Sequence, residues 1–283
     1  MACHDEFLLT DWHPIATLEQ LQIGQEQTTT LMECAITIRP GSDGNWTAAR
    51  VGSDTDLPVR ERYGCLWTCL GVPKGEVIDI PEARDSERFL VSGGAIGVRT
   101  SGLRVVENFI DMGHFPFVHD GWLGEQPHTE VIPYKVVITE DDEVLATDAQ
   151  FFQPIASPSA KGGIDVHYMY RIFRPYIVGL YKTNPALGDQ KDFIVLFIQP
   201  VNQEECIVHN LLCYFKEDMD EVTLRWFMQV IFGQDKPILE NQTPKRLPLE
   251  PRAETPIRAD QMSIIYRRWL QDHAVTYGAI PAA

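Results

Sequence analysis

Six β-prone segments follow one another between residues 131 and 215, joined by stretches that offer no room for long crossover helices. They are Val131–Thr139, Val144–Phe152, Ile164–Phe173, Tyr176–Thr183, Phe193–Gln199 and Cys206–Phe215, and the joints include EDDE, NPALGDQKD and NQEE. A parallel pair needs a crossover of roughly a dozen residues or more, whereas antiparallel neighbours need only a turn. This part of the chain therefore predicts a long antiparallel sheet.

The flanks supply helices and a second β unit. Asp220 opens DEVTLRWFMQVIF, whose apolar residues cover most of a helical circumference and so predict a helix buried against the sheet. The following Gly-Gln-Asp-Lys-Pro passage predicts an interruption, with Pro237 in the first turn of a renewed helix. A last helix is expected over Asp260–His273, and helical spacing of apolar residues over Leu103–Met112 ends near a break at Pro116. Upstream, Gln27–Leu31, Cys34–Arg39, Trp46–Val51 and Cys65–Leu70 are short strand candidates, with a hairpin turn at Gly41–Gly44. The Gly- and Pro-containing LGVPKGEVIDIPE reads as a linker. The fold class is α+β, an antiparallel sheet gripping C-terminal helices, with a small N-terminal β domain over 1–75 and the main domain over 76–283.

A formal charge of −16 over 283 residues, with no basic cluster, argues against a nucleic-acid surface. No basic region followed by a long apolar run marks the first residues as a signal peptide, and no stretch approaches the ~20 apolar residues of a membrane span. The six cysteines are scattered in mostly apolar contexts, the pattern of reduced thiols rather than of a disulfide scaffold, so a cytoplasmic protein is expected.

The segment that carries chemistry is Glu107–Asp120, ENFIDMGHFPFVHD. Asn108, Asp111 and His114 recur at three-residue spacing and would share one helix face. His119 follows five residues after His114, a step of about 500° on a regular helix, which would point the two rings apart. Pro116 between them makes a regular helix improbable, so the imidazoles can converge across a helix end. Two neutral histidines and one carboxylate form the open facial site that suits iron(II). The residues alone leave the carboxylate open. Asp235 beside a helix start reads as a cap, Glu240 lies on the same element, and Asp189, Asp192, Glu204 and Glu205 sit in turns. They also leave other arrangements open: His128-Thr129-Glu130 with His167 or His209 would suit a 2-oxoglutarate-type iron site, and a gripped cavity could belong to a non-catalytic ligand-binding or scaffold subunit.

These motifs resemble the Rieske non-haem iron oxygenases. Besides the histidine segment, DWHPIA at Asp11–Ala16 resembles the family's opening and VRERYGCLWTCLG at Val59–Gly71 the exit from its Rieske domain. GQDKPILENQ at Gly233–Gln242 resembles the helix carrying the third ligand, and DQMSIIYRRWL at Asp260–Leu270 the usual tail. The resemblance spans nearly the whole chain in order. It implies that His114, His119 and Asp235 hold a mononuclear ferrous ion. It also implies that Asp111 links an iron-ligating histidine to a neighbouring cluster, with Asn108 one turn behind it.

One family element is missing. The [2Fe–2S] cluster needs C-x-H and C-x2-H, yet no C-x-H occurs, and the lone C-x2-H, Cys206–His209, lies in a strand where residues three apart face opposite ways. The first 75 residues thus read as a Rieske remnant without cluster ligands. In this respect the chain is similar to the cluster-free oxygenase subunits among the bacterial methylxanthine N-demethylases. That likeness implies N7-demethylation with release of formaldehyde, electrons from a separate Rieske-containing, NADH-dependent reductase, and a glutathione-transferase-like companion. The substrate pocket is expected between the sheet and the helix Asp220–Phe232. Phe173, Ile231 and Phe232 would be its walls, with Gln229 and Asn210 addressing a purine's polar edge.

Overall fold

Residues Val144–Gln153 alternate between buried and partly exposed positions almost without fault, and most of Ile164–Arg174 keeps one face inward in the same way. The computed structural model describes residues 3–22, 24–41, 44–155, 162–184, 188, 190–216 and 220–282. Ser42 and Asp43 of the expected hairpin turn, and Asp189, lie outside the described residues.

In chain order the strands are β1 (His13–Thr17), β2 (Gln27–Leu31), β3 (Cys34–Pro40), β4 (Trp46–Arg50), β5 (Asp56–Leu57), β6 (Val59–Arg62), β7 (Cys65–Thr68), β8 (Arg88–Val98), β9 (Lys135–Ile138), β10 (Val144–Gln153), β11 (Ile164–Arg174), β12 (Ile177–Thr183), β13 (Lys191–Asn202) and β14 (Glu205–Phe215). The helices are α1 (Glu6–Leu9), α2 (Gly102–Ile110), α3 (Phe115–Val118), α4 (Glu221–Asn241) and α5 (Gln261–Asp272). Strands β9 to β14 form the expected antiparallel meander. The full seven-stranded order is β8-β14-β13-β12-β11-β10-β9, because β8, which the sequence reading left unassigned, pairs along β14 and closes one edge. Two smaller sheets, β2-β3-β4-β5 and β1-β7-β6, come from the first 68 residues.

The long sheet is buried on both faces over its central strands. One face turns Tyr168, Tyr170, Val178, Leu196, Leu212 and Tyr214 toward the helices. The other packs Phe173, Phe193, Val195, Phe197, Leu211 and Cys213 against Trp12, Cys65, Trp67 and Cys69 of the N-terminal strands. Two-sided burial explains why β13 reads as a continuous apolar run rather than an alternating one.

Two helix expectations need correction. α4 runs unbroken through Pro237. A proline there removes one backbone donor and crowds the carbonyl of Gly233, but burial of Leu224, Phe227, Met228, Ile231, Phe232 and Leu239 holds the helix together across the fault. Nor is α4 buried all round, since Val222, Trp226 and Ile238 are 75%, 54% and 52% exposed. Pro116 likewise begins a helix instead of ending one: α2 stops at Ile110, and Pro116 sits in the first turn of α3. Among the described residues no helix is long and apolar enough to cross a membrane.

His209 lies inside this core, on the face turned toward the N-terminal strands. Its Nε2 meets Gln199 Oε1 at 3.1 Å, and Gln199 donates to Thr29 and Thr30 at 2.8 Å each. Burial pushes the imidazole's pKa down to about 4 from 6.5. Between those values the unfolded chain binds a proton that the folded chain refuses, so His209 stabilises the fold fully above about pH 6.5 and progressively less as pH falls toward 4. Its contribution to the slope is at most about 1.4 kcal/mol per pH unit. The His209→Gln variant should show a flatter fall in denaturant-unfolding free energy across that window, and an unchanged slope would contradict this account.

Candidate metal centre

Ser101 caps α2, its side chain accepting from Leu103 N, and the helix ends as Asp111 leaves helical geometry. Asp111 then turns back on the chain: Oδ1 accepts from Gly113 N at 2.7 Å and Oδ2 from His114 Nδ1 at 3.0 Å. His114 and His119 are the two caps of the four-residue α3. A helix this short brings residues five apart back together across its ends, so their Nε2 atoms stand 3.2 Å apart. Gly124 packs directly beneath this helix, and a Cβ there would lie 2.7 Å from Pro116 N.

Asp235 comes from the interior of α4, not from a helix start, so it is no cap. Its Oδ1 lies 3.1 Å from His119 Nε2 and 3.4 Å from His114 Nε2. Gln234 makes a contact the sequence reading missed, its Oε1 accepting from His119 Nδ1 at 2.8 Å. Its place directly before Asp235 was the available signal. Among the described residues, His114, His119 and Asp235 are the one set of three or more His, Cys, Asp or Glu able to share a metal, their ligand atoms within 4.8 Å of one another. His128 instead stacks on Phe152 at 4.2 Å, and His209 is committed to Gln199, so the 2-oxoglutarate-type set does not assemble.

The electrostatics fit a cation. Each Nδ1 faces an acceptor, so the ring hydrogens sit there and both Nε2 lone pairs point at a common space. Asp235 Oδ1 points into the same space, buried and without a well-formed hydrogen bond among the described residues. Burial works against charge on His114, but the hydrogen bond to Asp111 and the nearby Asp235 carboxylate outweigh it and push the pKa up to about 9. Burial would likewise raise the Asp235 carboxyl, and the closeness of His114 and His119 holds it below the usual value instead. Three converging acceptors that draw in a proton this strongly are the donor set a ferrous ion takes.

A cavity opens beside the set, walled by α2, α3, the inner face of the sheet and α4. Asn108, Ile231 and Phe232 line it, together with Phe109, Phe115, Phe227 and Met228. Three expected pocket residues lie elsewhere. Phe173 has the wrong strand parity and packs on the opposite face, near Phe193. Gln229 is off the buried stripe of α4 and donates to Gly93 O at 3.1 Å. Asn210 has the right parity but lies against Gly93 and Met228, outside the cavity lining.

This fold is that of a Rieske-type non-haem iron oxygenase, and His114, His119 and Asp235 are its candidate metal site. Residues 98–275 match the family described as Vanillate O-demethylase oxygenase C-terminal domain, and the chain belongs to that family of Rieske-type non-haem iron oxygenases. Over 279 residues it is 44% identical to the probable methylxanthine N7-demethylase NdmC of Pseudomonas sp. (strain TJI-51), covering 98% of this chain and 99% of the relative. It is 26% identical over 219 residues to the methylxanthine N1-demethylase NdmA of Pseudomonas putida, spanning 59% of that protein. The solved structure of NdmA from P. putida CBB5 superposes with a TM-score of 0.74 at 19% identity, over 94% of this chain and 90% of that one. Dicamba monooxygenase bound to dicamba superposes at 0.73 and 16% identity, over 94% and 97%. At such identities the structural likenesses speak for the fold alone. Family membership as an oxygenase replaces the scaffold alternative.

If these side chains are the ligands, His119→Ala and Asp235→Ala should each abolish stoichiometric ferrous-ion binding in anaerobic metal analysis. Gln234→Leu should weaken it by about 10–100-fold, the usual effect of losing a group that orients a ligating histidine. Retention of full iron by either alanine variant would exclude that residue.

Proposed function

We propose that the chain is the catalytic subunit of a methylxanthine N-demethylase acting at N7, with 7-methylxanthine as its substrate. The observation that carries this reading is the 44% identity to the probable N7-demethylase NdmC across 98% of the chain. His114, His119 and Asp235 are the proposed ligands of one ferrous ion. Bound there, the metal supplies the activation of dioxygen. In the net reaction one N-methyl compound, one dioxygen, one NADH and one proton give the N–H compound, formaldehyde, water and NAD⁺. The methyl carbon leaves nitrogen as formaldehyde, and the balance closes only with two electrons from outside the subunit.

The chain's own residues do the rest. Asp111 and Gln234 fix the imidazole tautomers, leaving both Nε2 atoms free to ligate. Phe109, Phe115, Phe227 and Phe232 give the cavity flat apolar walls suited to a purine and displace water from beside the metal ligands. Asn108 lines the cavity one turn before Asp111, where its amide can hold substrate or water near the site. Asp111 and His114 also line a second groove with Arg104, Glu107 and Arg267, and the proposed electron donor would approach there.

The first 75 residues contain no C-x-H motif, which supports reading them as a Rieske remnant ahead of an iron domain over 76–283. Electrons would then come from a separate NADH-dependent reductase that carries a Rieske centre, with a glutathione-transferase-like protein as a further companion. All six cysteines are unpaired, in keeping with a cytoplasmic enzyme. Anaerobically purified protein should contain about one iron per chain and no acid-labile sulfide. Mixed with a Rieske-bearing reductase and NADH, it should release formaldehyde from 7-methylxanthine. Iron-loaded protein that consumes no methylxanthine with any such reductase would overturn the assignment.

A further inference from the structure

The wall of the cavity opposite α4 holds polar atoms that the metal centre does not use. Gln153, Tyr168 and Tyr170 all line the cavity, and all three are nearly inaccessible, at 1%, 3% and 1%. Gln153 Oε1 and both phenolic oxygens have no hydrogen-bond partner among the described residues. A buried polar group left unpaired is destabilising, so three along one cavity wall need a reason.

Their placement supplies one. Tyr168 and Tyr170 are two apart on β11, face the same way, and hold their rings nearly parallel, 5.9 Å apart. Tyr170 meets Phe109 of α2 edge-on at 6.2 Å. The Phe115 ring neighbours both Tyr168 and the two histidines, 6.1 Å from Tyr168, 5.0 Å from His114 and 6.0 Å from His119. Gln153 ends β10, close to the loop of Trp122, whose carbonyl accepts from Ile155 N. The three groups thus lie on one face of the sheet and line the same cavity as His114, His119 and Asp235.

We propose that Gln153, Tyr168 and Tyr170 are the substrate-orienting residues. The two phenols donate to exocyclic carbonyls of the xanthine, and Gln153 Oε1 accepts from a ring N–H, which turns the N-methyl group toward His114, His119 and Asp235. Burial drives both phenols' pKa values well above their ordinary range, so each stays an O–H donor at any physiological pH. The arrangement has a consequence for selectivity. A fully N-methylated xanthine offers no ring N–H, so it leaves Gln153 Oε1 unpaired, whereas a mono-methylated one satisfies it. Sites that hydrogen-bond a substrate discriminate strongly against analogues lacking the group.

This inference rests on the methylxanthine reading, and calorimetric binding to the iron-loaded full chain separates the two. The probes are 7-methylxanthine and 1,3,7-trimethylxanthine, with wild type, Gln153→Met, Tyr168→Phe and Tyr170→Phe. Wild type should bind the mono-methylated compound at least about tenfold tighter, the value of one lost buried hydrogen bond. Gln153→Met should collapse that preference, and each phenylalanine variant should weaken both compounds by about tenfold. The melting temperature should stay level or rise, because each change removes an unpaired buried oxygen; a merely structural role would lower it. Wild-type binding with unchanged affinities and preference in all three variants would overturn the orienting role alone. No binding of either xanthine by iron-loaded wild type would overturn the functional reading together with it.

Discussion

Asp235 must meet two imidazoles that belong to a different part of the chain, 116 residues earlier in the case of His119. That meeting depends on how α4 lies in the curve of the seven-stranded sheet. Leu224, Phe227, Met228, Ile231, Phe232, Asp235 and Leu239 recur along the helix at the spacing of one face, so apolar burial and the proposed metal carboxylate share a single stripe. Burying that stripe presses the helix on the sheet and delivers Asp235 to His114 and His119. The proline that should have broken α4 is tolerated because the same burial holds both halves in line.

The histidine side is held as firmly by charge. Arg104 on α2, with its side chain fully buried, binds Glu107 at 2.9 Å and Glu254 at 2.6 Å, and Arg267 of α5 bonds to the same two carboxylates. Such a network is a poor source of net stability, since desolvation offsets much of the attraction. Its value lies in geometry: it fixes the end of α2, from which Asp111 and α3 follow. The two imidazoles, the acceptors behind them and the elements carrying both are therefore specified separately, and the three converging atoms meet only where all specifications agree.

Much of the meander was legible because short joints forbid crossovers, and strands β10 to β14 fall within a few residues of their expected bounds. Strand β8 escaped because its Gly-Gly bulge interrupts the apolar pattern, and it becomes a strand by pairing with β14. The histidines could be paired because Pro116 excluded a regular helix between them, although the proline turned out to start the helix whose two ends they occupy. Pocket residues were the weakest part. Counting parity along β11 would have removed Phe173 and pointed to Tyr168 and Tyr170, which were not named, and counting the stripe on α4 would have removed Gln229. Asn210 has the right parity, and only its neighbours show that it sits under Gly93 and Met228.

The sequence by itself determined the antiparallel topology, the absence of C-x-H cluster ligands and the identity of two histidine ligand candidates. Each of these is local: joint length, motif spacing and a single proline can be read along the chain. Only the tertiary structure decided which carboxylate joins the histidines, that Gln234 orients one of them, and which polar groups face the cavity unpaired. Those facts depend on distances between residues far apart in sequence, and such distances are set by how α4 and the sheet bury their apolar faces against each other.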